Sequence, residues 1–142
     1  MSQTTVDVFF YGLFMDTALL GTKAIAPTSV AAGHVDGYRL RIGRRATLVH
    51  EPGSRAHGML MTIGQDQAAA LYADESVSDY VPEPVSVALP NGEVTTAVCY
   101  NLPPDKLEGT NAAYAEALLA LAAELGFPQG YLDEIRAQGS AA

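Results

Sequence analysis

Asp74 and Glu75 are the acidic residues best placed for chemistry in this chain of 142 residues. They follow residues 65–72, an alanine-rich stretch that predicts a short helix. A carboxylate within hydrogen-bond reach of an amine can accept its proton and later return it, which is general acid–base catalysis. Acidic residues that leave a helix are also commonly solvated. On their position alone an ordinary solvated surface role is the more common one, and a role in proton transfer needs further support.

Other reactive side chains lack the spacing that their chemistry needs. His34, His50 and His57 include no pair at helical spacing, and Cys99 is the only cysteine, so the sequence predicts no metal site. His50 and His57 could still meet across a hairpin. Cys99 lies in a strand-like run and is expected to be a small buried hydrophobe. We find neither a Gly-rich phosphate loop nor a Gly-x-Ser-x-Gly turn, so the sequence favours neither a nucleotide site nor a serine nucleophile.

Four of the eight Lys and Arg residues form the one positive cluster in the sequence: Arg39, Arg41, Arg44 and Arg45. Arg39 and Arg41 alternate with apolar residues, a period of two that predicts a strand with one buried face. The cluster could meet an anionic ligand, or its members could simply face solvent on an acidic protein. The residues themselves leave both interpretations open.

Composition excludes several classes of partner. The formal net charge is −8 with only 8 Lys and Arg residues, which disfavours binding to nucleic acid. No apolar run approaches the roughly 20 residues that span a bilayer, and no basic signal segment is present, so we expect no membrane attachment and a cytoplasmic location. Hydrophobic residues make up 49% of the chain and charged residues 17%, as in a globular protein. We expect a single domain over residues 1–142, with residues 139–142 as a frayed tail.

The elements that must position these residues are strands first and helices last. Predicted strands occupy residues 6–11, 35–43, 46–50, 56–63, 85–89 and 94–100. Asn-Gly at residues 91–92 predicts a type I′ turn in the last hairpin, and residues 51–54 predict the turn of another hairpin. One helical turn capped by Asp16 is predicted over residues 15–20, and longer helices over residues 65–72, 111–125 and 128–136. This order indicates an α+β domain with an antiparallel or mixed sheet around one core.

Four segments resemble, in order and context, the γ-glutamylcyclotransferase-like superfamily, particularly its γ-glutamylamine cyclotransferase and AIG2-like branch. They are VFFYGLFMD at residues 8–16, GYRL at 37–40, HGML at 57–60 and LYADE at 71–75. The first matches the superfamily's opening strand and its Tyr-Gly-Ser/Thr-Leu loop. The last reproduces the spacing that ends in the catalytic glutamate. The resemblance covers about the first hundred residues.

The resemblance implies a fold, an activity and a set of site residues. The implied fold is α+β, a small, partly closed mixed β-barrel with helices packed outside. The implied reaction releases 5-oxoproline from a γ-glutamyl amine or γ-glutamyl-amino acid, by attack of the substrate's own α-amine, and needs no cofactor. Glu75 would be the general acid and base. The implied substrate-binding residues are Tyr11, Gly12, Leu13, Phe14 and Tyr80, the loop acting through its backbone N–H groups.

The chain also departs from the superfamily pattern. Leu13 stands where Ser or Thr is usual, and Ser76 replaces a glycine. These departures leave the substrate class open and keep an alternative function in view: an inactive small-ligand-binding or interaction module on the same fold. The amphipathic helix predicted over residues 111–125 could pack on the barrel or form the surface of a homodimer.

Overall fold

A computed structural model describes residues 4–22, 25–72, 80–103, 109 and 111–139. The described strands are β1 (Thr5–Phe10), β2 (Ser29–Ile42), β3 (Ala46–Gly64), β4 (Val81–Ala88) and β5 (Val94–Asn101). The described α-helices are α1 (Thr17–Gly21), α2 (Gln65–Leu71), α3 (Ala112–Glu124) and α4 (Gln129–Gly139). A 3₁₀ turn, Leu13–Met15, follows β1.

The strands close into a barrel in the order β1-β3-β2-β4-β5. Neighbouring strands are antiparallel except β1 and β5, which meet in parallel through Val8 and Val98, so the barrel is mixed. This confirms the predicted α+β class. Val8, Phe9 and Phe10 are all buried although successive side chains point to opposite faces, so both faces of this part of β1 are covered, which explains its continuous apolar run.

Helices α3 and α4 pack together outside the barrel, as the apolar spacing predicts. Leu118 of α3 and Ile135 of α4 are completely buried. Asn111 caps α3 by accepting a hydrogen bond from the Tyr114 N–H at 3.0 Å. Helix α4 contacts β2, and α3 contacts the 3₁₀ turn, so α3 reaches the loop after β1. A dimer surface on α3 stays a prediction. Among the described residues, no helix is both long enough and apolar enough to traverse a bilayer.

The predicted hairpin between residues 46–50 and 56–63 is wrong. Both segments belong to β3, a single 19-residue strand that pairs antiparallel with β2 along its length. Asp36 pairs with Arg55 and Tyr38 pairs with His50, so residues 51–54 face a single β2 residue. Gly53, with φ +87°, takes up the extra chain length in a bulge. The turn-forming residues bend the strand without reversing it, because the parts of β3 before and after the bulge both pair with β2.

The hairpin of β4 and β5 is confirmed, but its predicted type I′ turn is wrong. The Gly92 N–H donates to the Leu89 carbonyl at 2.9 Å, which places Pro90 in the second position of the turn. Proline holds φ near about −65°, whereas a type I′ turn needs a positive φ there. Gly92, at φ +90°, instead supplies the left-handed residue after the turn.

The histidine pairing also differs from the prediction. His50 and His57 lie on either side of the bulge in β3. His57 pairs with His34 of the neighbouring strand β2, and their ring centroids lie 5.7 Å apart. The His50 ring instead lies against Tyr38, with ring centroids 4.4 Å apart and planes tilted by 42°, and its Nε2 lies 3.3 Å from a carboxylate oxygen of Glu83. The two predicted partners are separated because β3 is one continuous strand.

Candidate active site

A cavity of about 260 Å³ opens beside the loop that follows β1. Its walls come from five parts of the chain: this loop with α1, the turn between β2 and β3, the end of α2, the residue before β4, and the first turn of α3. The lining residues are mostly aromatic or apolar and include two arginines. They are Phe10, Tyr11, Gly12, Leu13, Phe14, Leu19, Arg44, Arg45, Ala46, Tyr72, Tyr80 and Tyr114.

The loop after β1 is apolar because it forms one wall of the cavity. Leu13, Phe14 and Met15 make a 3₁₀ turn, closed by a hydrogen bond of 3.0 Å from the Met15 N–H to the Gly12 carbonyl. Met15 points into the core and is 2% exposed, while Leu13 and Phe14 line the cavity. Phe14 also packs edge-on against Tyr72 at 6.0 Å. The turn therefore holds the backbone in place and keeps water from one side of the cavity.

Tyr114 of α3 reaches over this loop. Its hydroxyl accepts a hydrogen bond of 3.2 Å from the Leu13 N–H. Burial raises the pKa of the Tyr114 phenol, so the hydroxyl keeps its proton and can still donate it to a ligand. The sequence places Tyr114 on the apolar face of a helix and does not identify it as a site residue. Its phenol is the one signal of a further role, because a buried tyrosine hydroxyl usually has a polar partner.

Tyrosines form much of the remaining wall. Tyr72, at the end of α2, stacks on Tyr100 of β5 with centroids 3.8 Å apart and planes inclined by 11°. Tyr80 precedes β4, and its hydroxyl donates to the carbonyl of Ala46, the first residue of β3. Tyr11 donates to the Tyr100 carbonyl at 2.6 Å. Burial raises the pKa of the Tyr11, Tyr72 and Tyr80 phenols, which therefore remain neutral.

The structure brings together all the predicted binding residues that it describes: Tyr11, Gly12, Leu13, Phe14 and Tyr80 line the same cavity. Their role in substrate binding stays a prediction. Glu75, the predicted acid and base, lies outside the described residues, as do Asp74 and Ser76. The nearest described residues on either side are Tyr72 and Tyr80, and both line the cavity.

The basic cluster divides between two environments. Arg39 lies 3.5 Å from a carboxylate oxygen of Glu51, and Arg41 is exposed on β2. Arg44 and Arg45 line the cavity, and the Arg45 guanidinium lies 5.9 Å from the centre of the Tyr80 ring. This half of the cluster is therefore placed where it could meet an anionic ligand, one of the two interpretations that the sequence left open.

A second polar cluster, on strands β2 to β5, is satisfied internally. Glu83 accepts hydrogen bonds from the Tyr38 hydroxyl at 3.1 Å and from the Asn101 amide. Burial, followed by the contact with Glu83, raises the pKa of Tyr38 to about 12. Within the described ranges, no group of three or more His, Cys, Asp or Glu side chains is arranged to hold a metal ion.

Comparison with known proteins gives the following matches. The sequence matches the family model for gamma-glutamyl cyclotransferase, AIG2-like, over residues 8–117. A solved structure named gamma-glutamyl cyclotransferase aligns with a TM-score of 0.76 at 20% identity, covering 94% of this chain and 88% of that one. An uncharacterised protein from Homo sapiens aligns with a TM-score of 0.77 at 21% identity, covering 96% of this chain and 89% of that one.

A more distant structural match is an AIG2-like protein from Mus musculus, with a TM-score of 0.59 at 14% identity, covering 77% of this chain and 90% of that one. No curated protein matches the sequence. At these identities the structural matches show a shared fold.

Proposed function

The chain belongs to the gamma-glutamyl cyclotransferase, AIG2-like family, and from this premise we propose that it releases 5-oxoproline from a γ-glutamyl amine or γ-glutamyl-amino acid. The observation that carries the proposal is a single cavity shared by the loop of residues 11–14 and by both described neighbours of Glu75. Three residues span at most about 11 Å, so Glu75 is within a short reach of Tyr72.

In the proposed reaction the substrate supplies both the nucleophile and the electrophile. Glu75 takes a proton from the α-ammonium group, and the freed amine nitrogen attacks the γ-carbonyl carbon. The new C–N bond closes the five-membered lactam and the bond to the leaving amine breaks. The ring nitrogen gives up a second proton, and Glu75 passes both protons in turn to the leaving nitrogen, which departs as an ammonium. Holding the two groups in line can lower the barrier by about 7–11 kcal/mol in favourable systems. No cofactor takes part in this scheme.

The surroundings of the cavity suit a carboxylate that must act as a base near neutral pH. Apart from Arg44 and Arg45, its walls are built from neutral phenols and apolar side chains such as Tyr72, Phe14 and Leu13. A carboxylate transferred into such surroundings loses hydration, which raises its pKa towards neutrality, whereas the two guanidinium groups act in the opposite direction. The proposal requires that the loss of hydration dominates, so that Glu75 is a stronger base than an exposed glutamate.

The loop after β1 would hold the α-carboxylate of the γ-glutamyl group. Backbone N–H groups in a tight turn bind anions by their partial positive charge. The Leu13 N–H is already hydrogen-bonded to Tyr114, so we assign the α-carboxylate to the Gly12 and Phe14 N–H groups together with the Tyr114 hydroxyl. That hydroxyl accepts from Leu13 and donates to the ligand. It would replace the side-chain hydroxyl that Leu13 lacks.

The test is production of 5-oxoproline by the purified protein. We expect it from γ-glutamyl-alanine or γ-glutamyl-ε-lysine, and none from α-glutamyl-alanine, which has the same atoms but no γ-amide. N-acetyl-γ-glutamyl-alanine is the second control, because its blocked amine cannot attack. Absence of product from every γ-glutamyl compound contradicts the proposal, and product from the acetylated compound contradicts intramolecular attack.

One observation favours the alternative of a binding module. The loop has no hydroxyl at position 13, and its Leu13 N–H is occupied by Tyr114. A module of this kind would bind γ-glutamyl compounds and raise the melting temperature without consuming them. The same incubation, followed by thermal unfolding, separates the two functions: the alternative requires a shift in melting temperature with no 5-oxoproline.

A further inference from the structure

Two adjacent arginines line a cavity whose other walls are aromatic or apolar. Arg44 and Arg45 occupy the short turn between β2 and β3 and belong to a chain with only 8 Lys and Arg residues and a net charge of −8. Two of these few positive charges at one cavity favour an anionic ligand, because a guanidinium presents a planar fork of donors that fits a carboxylate.

The turn that carries these arginines is fixed from both sides of the cavity. Within the turn, the Gly43 N–H donates to the Arg45 carbonyl at 3.0 Å. From the start of α3, the Asn111 amide donates to the Arg44 carbonyl at 3.1 Å. From the start of β4, the Tyr80 hydroxyl donates to the Ala46 carbonyl. The backbone positions of both arginines are therefore tied to the elements that form the site.

The side chains are also supported near the cavity. The Arg45 guanidinium lies 5.9 Å from the centre of the Tyr80 ring, a cation–π distance. The stem of Arg44 passes close to Gly109, where an added Cβ would come within 3.0 Å of the Arg44 Cγ. The ring contact restricts the conformations of the Arg45 side chain, so less conformational entropy is lost when a ligand orders it, whereas Arg44 is exposed at the edge of the cavity.

We propose that Arg44 and Arg45 form a subsite for a carboxylate on the leaving amine, so that the enzyme prefers γ-glutamyl-amino acids to uncharged γ-glutamyl alkylamines. This inference rests on the proposed function. The γ-glutamyl group has a single α-carboxylate, which the loop after β1 and Tyr114 can hold. The two arginines would then contact the rest of the substrate.

The test compares two ligands that differ only in that carboxylate: γ-glutamyl-alanine and γ-glutamyl-ethylamide. Binding is measured by calorimetry in a Glu75→Gln background, which prevents turnover, and kcat/KM is measured with Glu75 intact. The variants are Arg44→Gln, Arg45→Gln and the double variant. Arg41→Gln is the matched control, because Arg41 is exposed on β2 and does not line the cavity.

We expect γ-glutamyl-alanine to bind about ten times more tightly than the ethylamide, as for a charge-assisted pair in a partly enclosed site. The double variant should reduce this ratio to about one by weakening only the alanine compound, and Arg41→Gln should preserve the ratio. Lysine at both positions should retain part of the preference, since it keeps the charge but loses the bidentate fork.

The outcomes separate this inference from the proposed function. Either of two results overturns the subsite even if 5-oxoproline is produced. One is an equal affinity of wild type for γ-glutamyl-alanine and for the ethylamide, and the other is a ratio of the two affinities that is unchanged in the double variant. A ratio of about ten that depends on the arginines, without 5-oxoproline, supports the subsite and rejects the reaction. Failure of both ligands to bind contradicts both.

Discussion

The phenol oxygen of Tyr114 occupies the space that a side chain on residue 12 would need. A Cβ added to Gly12 would lie 2.3 Å from this oxygen, well inside contact distance. Gly12 has φ −111°, which any residue can adopt, so the glycine is required by the close approach of Tyr114 and not by its backbone conformation. The two residues are 102 positions apart, and their contact joins α3 to the loop after β1.

Gly12→Ala should destabilise the protein by about 1–3 kcal/mol, the usual cost of forcing an extra atom into a packed site. In a Tyr114→Phe background the cost should be much smaller, because the nearest ring carbon would then be 3.7 Å from the new Cβ. Urea unfolding of wild type, Gly12→Ala, Tyr114→Phe and the double variant gives the coupling free energy between the two positions. Gly21→Ala is the control, since nothing lies within 4 Å of its Cβ position. An equal cost of Gly12→Ala in both backgrounds contradicts the contact.

Asn101 links three strands inside one end of the barrel. Its side-chain oxygen accepts from the buried Leu48 N–H of β3 at 3.3 Å, and its amide donates to Glu83 of β4. Asn101→Ala leaves the Leu48 N–H without this partner, so we expect a loss of about 1–3 kcal/mol in the free energy of unfolding. Thr96→Ala, at an exposed position of β5, should change it by less than about 0.5 kcal/mol. Similar unfolding curves for the two variants would show that this network is not important for stability.

His57 should make the protein less stable in mild acid. Burial, then the charges of His34 and Arg55, lowers its pKa below the usual value of 6.5, against an opposing effect of Asp36. At a pH between the lowered pKa of the folded protein and the usual pKa of the unfolded chain, the unfolded chain binds more protons than the folded protein. The free energy of unfolding therefore falls as the pH decreases through this range. Chemical denaturation at pH 7.5 and 5.5 should show a larger loss for wild type than for His57→Gln. Equal losses would mean that His57 is not the group responsible.

The elements with strong local signals are those that the sequence predicted well. Asp16 caps the start of α1 by accepting from the Ala18 N–H, and Asn111 caps the start of α3, which ends before Gly126. Capping residues and apolar periodicity are local properties, and they can be recognised without knowledge of tertiary contacts. The same holds for the alternating residues of β4 and β5.

The bulge in β3 could not be predicted in this way. Pro52 and Gly53 carry the same turn signal whether the chain reverses or continues, and the outcome depends on β2 as partner for both flanks. Within the site, Tyr114 was missed for a related reason. Its importance follows from where α3 docks, and the pattern of a single helix does not contain that information. Arg44 was left ambiguous because exposure to solvent and exposure to a cavity look alike in sequence.

The most direct test of the central claim compares Glu75→Gln with Asp74→Asn, which removes the adjacent carboxylate. With γ-glutamyl-alanine, Glu75→Gln should lower kcat by about 10²–10⁴-fold, the usual contribution of a general acid–base group, while ligand binding changes little. Asp74→Asn should keep most of the activity. Full turnover by Glu75→Gln, or loss of turnover in Asp74→Asn alone, would contradict the assignment of Glu75 as the proton-transfer residue.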